Sequence, residues 1–357
     1  MYYDLYLLFP LLDSTEDSAL KKSKKRKGKA PVPHVPATPR DCWWGIDQEE
    51  KRIFAKRLAL AGHLGYSVVG LTVSPDEPSA QVYPSPFQVQ IPYPELDPRF
   101  APGSVAGPSC SNENLPMIQV ARYHIRLDDG KAHCLVSFEY NNLIRCSIMG
   151  QTAANTSALR NYDIISVAPS TDKSFQLACT DLSNPGPNQI SIITLPLHER
   201  PYTFRFNFRQ MRQAQRNGVV FELLYSAALF PSPSTPPDVA RRFRQNFLSN
   251  AREVTRITGG KGIIFSSGPG SETGLRGCLD IVNLGTLIGM PANLAKEAVE
   301  KTPKMVLLRA QARKTFKAIM TLPRYAPPPD EGTEDSADRP GEDNDDQDQH
   351  KRTKLPT

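Results

Sequence analysis

The sequence predicts an α/β protein, a (β/α) barrel in which strands and helices alternate along the chain. Most of the strand-like runs are continuously apolar, which is typical of parallel strands buried on both faces. About eight such runs separated by helical patterns favour a barrel, with a doubly wound open sheet as the alternative. The runs lie at 2–9, 66–73, 117–127, 162–168, 189–195, 203–207, 219–225 and 262–267.

Apolar residues at helical spacing predict the elements between the strands. Residues 48–64 carry apolar side chains on one side and charged ones opposite. Residues 236–258 repeat this pattern, with Thr235 as the expected N-cap and Gly259 just after the end. From 276 to about 322 the pattern predicts two or three more helices.

The predicted barrel domain comprises residues 1–12 and 48–325. A basic, proline-rich insertion at 13–47 separates its two parts, and a second proline-rich insertion at 74–116 lies within the barrel, with ten of the 33 prolines. Proline at this density blocks helices and central strands alike. The acidic tail at 326–357 and the two insertions are expected to be disordered.

The charge is unevenly distributed along the chain. Residues 330–350 carry ten carboxylates against Arg339, a charge of −9 in a chain whose total is +6. The remainder therefore carries +15, and a body this basic suggests a polyanionic partner.

Cysteine placement and hydropathy narrow the class further. The six cysteines are scattered and none forms a C-x-x-C pair, which favours reduced thiols in the cytosol or nucleus over disulfides or a zinc site. No run reaches the roughly 18–20 apolar residues needed to span a bilayer, so no membrane partner is expected.

Several segments carry a family resemblance. They are AGHLGYSVV at 61–69, YYDL at 2–5, YDII at 162–165, GVVFELLY at 218–225, GIIFSS at 262–267, residues 275–285 and RKT at 313–315. Together, and in this order, they resemble the thirty-kilodalton protein subunit family of ribonuclease P and ribonuclease MRP. One departure is Arg216-Asn217-Gly218, where the family usually has Arg directly before the glycine.

The resemblance implies a barrel of the polymerase and histidinol phosphatase type. It implies assembly with ribonuclease P RNA, with ribonuclease MRP RNA, and with a small RRM-like subunit. In that family the RNA hydrolyses the phosphodiester bond whose cleavage forms the mature 5′ end of tRNA. The resemblance implies that precursor tRNA contacts the protein through the complex. The expected location is the nucleus, with the nucleolus and rRNA processing also implied.

The residues themselves predict no catalytic, metal or cofactor site. A metal-dependent relative on such a barrel would place H-x-H at the end of the first strand, where this chain has Asp4-Leu5-Tyr6. No two of the six histidines stand at i, i+2 or i, i+4. Two alternatives to a non-catalytic RNA-binding subunit stay open, a metal-dependent phosphoesterase and a pure protein scaffold.

Two positions after the last strand are candidate RNA contacts. Ser266 and Ser267 open a Gly-rich loop that could present backbone N–H groups to a phosphate, although a plain strand-to-helix connection fits as well. Arg276 can bind a phosphate or pair with the carboxylate of Asp280.

The last predicted helix offers a further set of cations. Arg309, Arg313 and Lys317 recur at i, i+4, with Lys314 beside them. Such clustering is what phosphate contact requires, and a solvated helix face is the alternative.

A basic run in the first insertion has seven cations in nine residues. It predicts nuclear localisation, non-specific RNA binding, or both, against a solvated loop with neither role. The cations are Lys21, Lys22, Lys24, Lys25, Arg26, Lys27 and Lys29.

Overall fold

Seven parallel strands form one sheet among the residues that the computed structural model describes. The strands are β1 Tyr2–Leu8, β2 Tyr66–Val73, β3 Ile118–Leu127, β4 Ile164–Pro169, β5 Ile192–Leu195, β6 Val220–Leu224 and β7 Ile263–Ser266. They stand in the sheet in chain order, each parallel to its neighbours. The structure describes residues 1–10, 42–43, 46–75, 82–87, 92–93, 96–97, 117–127, 158–186, 188–198, 205–231, 235–269 and 272–315.

The sheet curls until its last strand meets its first. A parallel bridge joins Leu7 to Gly268, and the Gly268 N–H donates to the carbonyl of Tyr6 at 3.2 Å. The predicted barrel is therefore confirmed, in a nearly closed form. The doubly wound alternative is wrong, because such a sheet reverses its strand order at a switch point and this one does not.

Helices cover the outside of the sheet between successive strands. Several of these helices have an N-cap whose side chain accepts a hydrogen bond from the first turn. Asp47 accepts from the Gln48 N–H at 2.7 Å, and Thr171 and Ser174 form a reciprocal capping box. The helices are α1 Gln48–His63, α2 Asp172–Thr180, α3 Phe208–Arg216, α4 Ser226–Leu229, α5 Pro237–Thr258, α6 Cys278–Leu287, α7 Ala292–Glu297 and α8 Lys301–Lys314, with a 3₁₀ turn at Glu272–Gly274.

Two local predictions are wrong. The N-cap of α5 is Pro236 rather than Thr235, because Pro237 takes the first helical position, where its missing N–H costs nothing. The strand predicted at 203–207 does not form over 205–207, and residues 203 and 204 lie outside the described residues. Asn207 instead begins α3 by accepting from the Arg209 N–H at 3.0 Å.

Apolar side chains pack on both faces of the sheet. The larger cluster lies between the strands and the surrounding helices. The smaller one fills the barrel and takes residues from every strand, for example Leu5, Val68 and Ile264. Val306 and Ala310 of α8 pack into this inner cluster, so α8 closes the barrel at the amino ends of the strands.

Parts of the two predicted insertions belong to the core. Cys42 is buried, and so are Val82, Tyr93 and Leu96. The Asp97 carboxylate accepts from the Gln119 N–H at the start of β3. The expectation of disorder is wrong for these residues, because their apolar side chains extend the core over the first three strands. The tail at 326–357 lies outside the described residues.

Candidate functional site

Cations of α8 hold the loops that enter the barrel strands. Arg309 donates to the carbonyl of Gly218, just before β6, at 2.7 Å. Arg313 donates to the carbonyl of Tyr162, before β4, at 2.8 Å. Lys314 pairs with the Asp163 carboxylate at 2.6 Å. These bonds attach α8 to the amino-end face of the barrel.

The predicted cationic stripe is wrong at Arg313, which is only 7% exposed. Burial lowers the pKa of its guanidinium to about 10, and its bond to the Tyr162 carbonyl fixes it in place. Arg309 is exposed but bonded to backbone, and Lys314 shares its charge with Asp163. Lys317 lies outside the described residues. These cations therefore serve first to attach the helix, and RNA contact by Arg309 and Lys314 stays a prediction.

The two serines after β7 close the barrel. The Ser267 hydroxyl donates to the Tyr6 carbonyl at 2.9 Å, and its N–H donates to Asp4 Oδ1 at 3.2 Å. Ser266 and Ser267 are 1% and 2% exposed. The Ser267 N–H is therefore already bonded within the protein, which favours the plain connecting role for this serine, while phosphate contact by backbone N–H groups of the loop stays a prediction.

Arg276 lies half-buried at the edge of a surface cleft of about 370 Å³. Its guanidinium stacks 3.9 Å from the ring centre of Phe230 and donates to the Leu275 carbonyl. Asp280 lines the same cleft without forming an ion pair with Arg276 in the described structure. The predicted intramolecular pair is therefore wrong. Contact of Arg276 with RNA stays a prediction.

A buried ion pair crosses the inside of the barrel. Arg122 of β3 and Glu222 of β6 form a two-pronged pair, with contacts of 2.6 and 2.5 Å, and neither side chain is exposed. The guanidinium also donates to the hydroxyl groups of Ser166 and Thr194 and to the carbonyl of Leu5. Sequence reasoning missed this network. The available signal was a charged residue in the middle of each of two largely apolar runs, Arg122 at 117–127 and Glu222 at 219–225.

Asp4 is the second buried charge that sequence reasoning left unassigned. Its Oδ1 accepts from the N–H groups of Tyr6 and Ser267. Its Oδ2 is buried without a hydrogen-bond partner in the described structure. Desolvation raises the pKa of Asp4 to about 6, although hydrogen bonding by Ser267 and by the Tyr6 N–H lowers it. The nearby charge of Glu222 raises it further.

The raised pKa of Asp4 predicts a pH-dependent stability. The unfolded carboxyl ionises near pH 4 and the folded one near pH 6, so the unfolded state loses its proton first as the pH rises. We expect this group to lower the free energy of unfolding by about 2–3 kcal/mol between pH 4 and pH 6, and to add no further slope above that.

Urea denaturation of the wild type and of Asp4→Asn at pH 4, 5, 6 and 7 checks this expectation. As the pH rises from 4 to 6, the free energy of unfolding of the variant should increase relative to that of the wild type. A difference that stays constant over this range contradicts the raised pKa.

The described residues contain neither a cluster of metal-binding side chains nor a membrane-spanning helix. Within them, no three His, Cys, Asp or Glu side chains are grouped so that they could hold a metal ion. Nor is any helix there both long and apolar enough to cross a membrane. The basic run, Lys21 to Lys29, lies outside the described residues, so its role stays a prediction.

Residues 144–315 extend from before β4 to the residue after α8. These residues match the family model described as RNase P subunit p30. This match supports the RNase P subunit p30 family for the chain. The matched range includes Glu222 of the buried pair, the closing serines and the α8 cations.

Named relatives agree with this assignment. The mouse ribonuclease P protein subunit p30 is 29% identical over 278 residues, which are 77% of this chain and 87% of the mouse protein. The Saccharomyces cerevisiae ribonuclease P/MRP protein subunit RPP1 is 27% identical over 164 residues, 46% of this chain and 50% of the yeast protein. Similarity to the p30 family thus extends beyond the range of the family model.

A chain of an archaeal ribonuclease P with mature tRNA aligns with a TM-score of 0.45 and 12% identity, over 78% of this chain and 96% of that chain.

Proposed function

We propose that this chain is a non-catalytic, RNA-contacting protein subunit of ribonuclease P that supports 5′ maturation of precursor tRNA. The observation that carries the proposal is the match to the p30 family model, together with a match covering 87% of a named ribonuclease P subunit. The charge of +15 outside the acidic segment supports a polyanionic partner.

The inside of the barrel supports a structural role for this protein. Arg122, Glu222, Ser166 and Thr194 bond to one another there, and the Tyr6 ring lies 4.5 Å from the guanidinium carbon of Arg122. These side chains satisfy each other's hydrogen bonds inside the packed barrel, so the buried charges act within the fold. On this proposal the RNA of the complex performs the hydrolysis.

The proposed partners are ribonuclease P RNA, ribonuclease MRP RNA and a small RRM-like subunit, with precursor tRNA engaged through the complex. The name of the yeast relative, a ribonuclease P/MRP subunit, supports the second RNA and a contribution to rRNA processing. The proposed location is the nucleus and nucleolus, on the strength of the basic run at 21–29. Imaging a fluorescent fusion with and without that run tests the location.

Affinity purification of the tagged full chain from its own cells tests the proposal. We expect the purified material to contain a ribonuclease P RNA and to cleave precursor tRNA at the mature 5′ end. Nuclease digestion of the RNA should abolish the cleavage, while the purified chain alone with Mg²⁺, Mn²⁺ or Zn²⁺ should leave the precursor intact. Material without this RNA and without 5′ cleavage would overturn the proposal.

A further inference from the structure

The outer side of α3 carries three exposed arginines. Arg209, Arg212 and Arg216 point in directions that fall within an arc of about 60° around the helix, given 3.6 residues per turn. The helix contains no Asp or Glu. Phe208 at its first position is 53% exposed, and the guanidinium of Arg212 lies 5.4 Å from the centre of its ring.

The outer side of α5 carries a second row of arginines, with one exposed carboxylate, Asp238, on the same side in the first turn. Arg241, Arg252 and Arg256 are exposed and likewise fall within an arc of about 60°. The row extends for roughly 22 Å along the helix, at 1.5 Å per residue. We call these six residues the arginine face: Arg209, Arg212, Arg216, Arg241, Arg252 and Arg256.

The two rows belong to one surface. α3 and α5 are in contact on the outside of the barrel, where they precede the adjacent strands β6 and β7. The Gln215 side chain donates to the Lys261 carbonyl, just after α5, at 2.7 Å and so ties the ends of the two helices together. Packed helices lie about 8–10 Å apart, so the rows form a single cationic surface two helices wide.

These arginines have no ion-pair partner among the described residues. Elsewhere in the described residues, two exposed lysines pair with a carboxylate one helical turn away, Lys296 with Glu300 and Lys301 with Glu297. A merely solvated helix surface would have the second pattern, with lysines and i, i+4 carboxylates. On the arginine face the charge is left available to a partner.

We propose that the arginine face binds the phosphate backbone of RNA. The guanidinium group forms two parallel hydrogen bonds with a phosphate, a geometry that Lys does not offer, and every cation of the two rows is Arg. The exposed Phe208 ring beside Arg209 and Arg212 provides a platform for an unpaired base. This inference rests on the proposed function, since it identifies the surface through which the subunit meets its RNA.

Two of the six arginines also have a local role. Arg216 and Arg256 lie in the last turns of their helices, where a cation interacts favourably with the helix dipole. The remaining four have no such reason to be cationic, so Arg209, Arg212, Arg241 and Arg252 are the residues to change. Gln has a helix propensity close to that of Arg and preserves both helices.

The test compares the quadruple Arg→Gln variant at these four positions with the wild-type full chain. The probe is a transcript of the RNA that co-purifies with the chain, titrated at 50 to 300 mM KCl. Loss of four phosphate contacts should reduce the slope of log K against log[salt] by about three units. The matched control replaces four exposed cations elsewhere by Gln, at Arg52, Lys296, Lys301 and Lys304, and should keep the wild-type slope.

Ultraviolet cross-linking of the purified wild-type particle provides a readout that does not depend on the variant. Peptides of α3 and α5 should carry cross-linked nucleotides. An unchanged slope together with the absence of these peptides would overturn the inference, and would favour an acidic protein as the ligand of this face. If no ribonuclease P RNA co-purifies, the proposed function fails. If the RNA co-purifies but the slope is unchanged and no peptide of α3 or α5 is cross-linked, only this inference fails.

Discussion

Replacing Glu222 by Gln should lower the free energy of unfolding by about 3–5 kcal/mol, because it leaves the charge of Arg122 unpaired inside the barrel. Both side chains have no solvent exposure, so water cannot take over the role of the lost carboxylate. Ser166, Thr194 and the Leu5 carbonyl still accept hydrogen bonds from the guanidinium, but none of them carries a charge. Urea denaturation at pH 7, followed by circular dichroism, measures the loss.

A double replacement separates the value of the pair from the cost of breaking it. Exchanging the pair for apolar residues, Arg122→Met with Glu222→Leu, removes both buried charges at once. Buried pairs exchanged in this way are often no more stable than their apolar substitutes. The double variant should therefore be more stable than Glu222→Gln alone. If it is the less stable of the two, the pair contributes a large net stabilisation and our account of its energetics is wrong.

Much of the barrel could be predicted because parallel strands leave a clear trace in sequence. A strand buried on both faces needs apolar residues at every position, so the run YSVVGLTV was predicted over the same residues as β2, 66–73. The failure at 203–207 has a physical cause too. The pattern of such a short run does not distinguish a strand from a loop. Here the Asn207 side chain caps α3, so the residues just before it lead into a helix.

The functional residues were harder to predict, because periodicity shows which side chains share a face but not what covers that face. On α8, Arg313 follows the buried residues Val306 and Ala310 at helical spacing, so it shares their face. The sequence therefore contained the signal that Arg313 is buried. The arginine face lacked such a signal, since the adjacency of α3 and α5 is a property of the folded barrel.

Gly70 in β2 illustrates how the buried pair constrains the backbone around it. The register of β1 shifts between Asp4 and Leu7, and the Leu5 carbonyl accepts from Arg122 across the barrel at 2.8 Å. A Cβ built on Gly70 would overlap the oxygen of this carbonyl and lie 2.8 Å from its carbon. The position therefore requires glycine because of close approach between two backbones, and not because of an unusual φ angle.

Replacing Gly70 by Ala should cost about 3–5 kcal/mol, the sum of overpacking and a weakened charged hydrogen bond to Leu5. Gly186→Ala is the matched control, since the nearest atom to its added Cβ is 4.0 Å away, and it should unfold like the wild type. Urea denaturation of both variants measures the free energy of unfolding that each loses relative to the wild type.

The cost at Gly70 should also depend on the buried pair. Once Arg122→Met and Glu222→Leu remove the donor, the Leu5 carbonyl can move away from the added methyl group without losing a charged hydrogen bond. Gly70→Ala should then cost at least about 1 kcal/mol less than it does in the wild type, the size of coupling that residues in direct contact show. Equal costs in the two backgrounds would mean that packing of β1 alone holds the Leu5 carbonyl. Arg122 would in that case only occupy a site that the backbone had already formed.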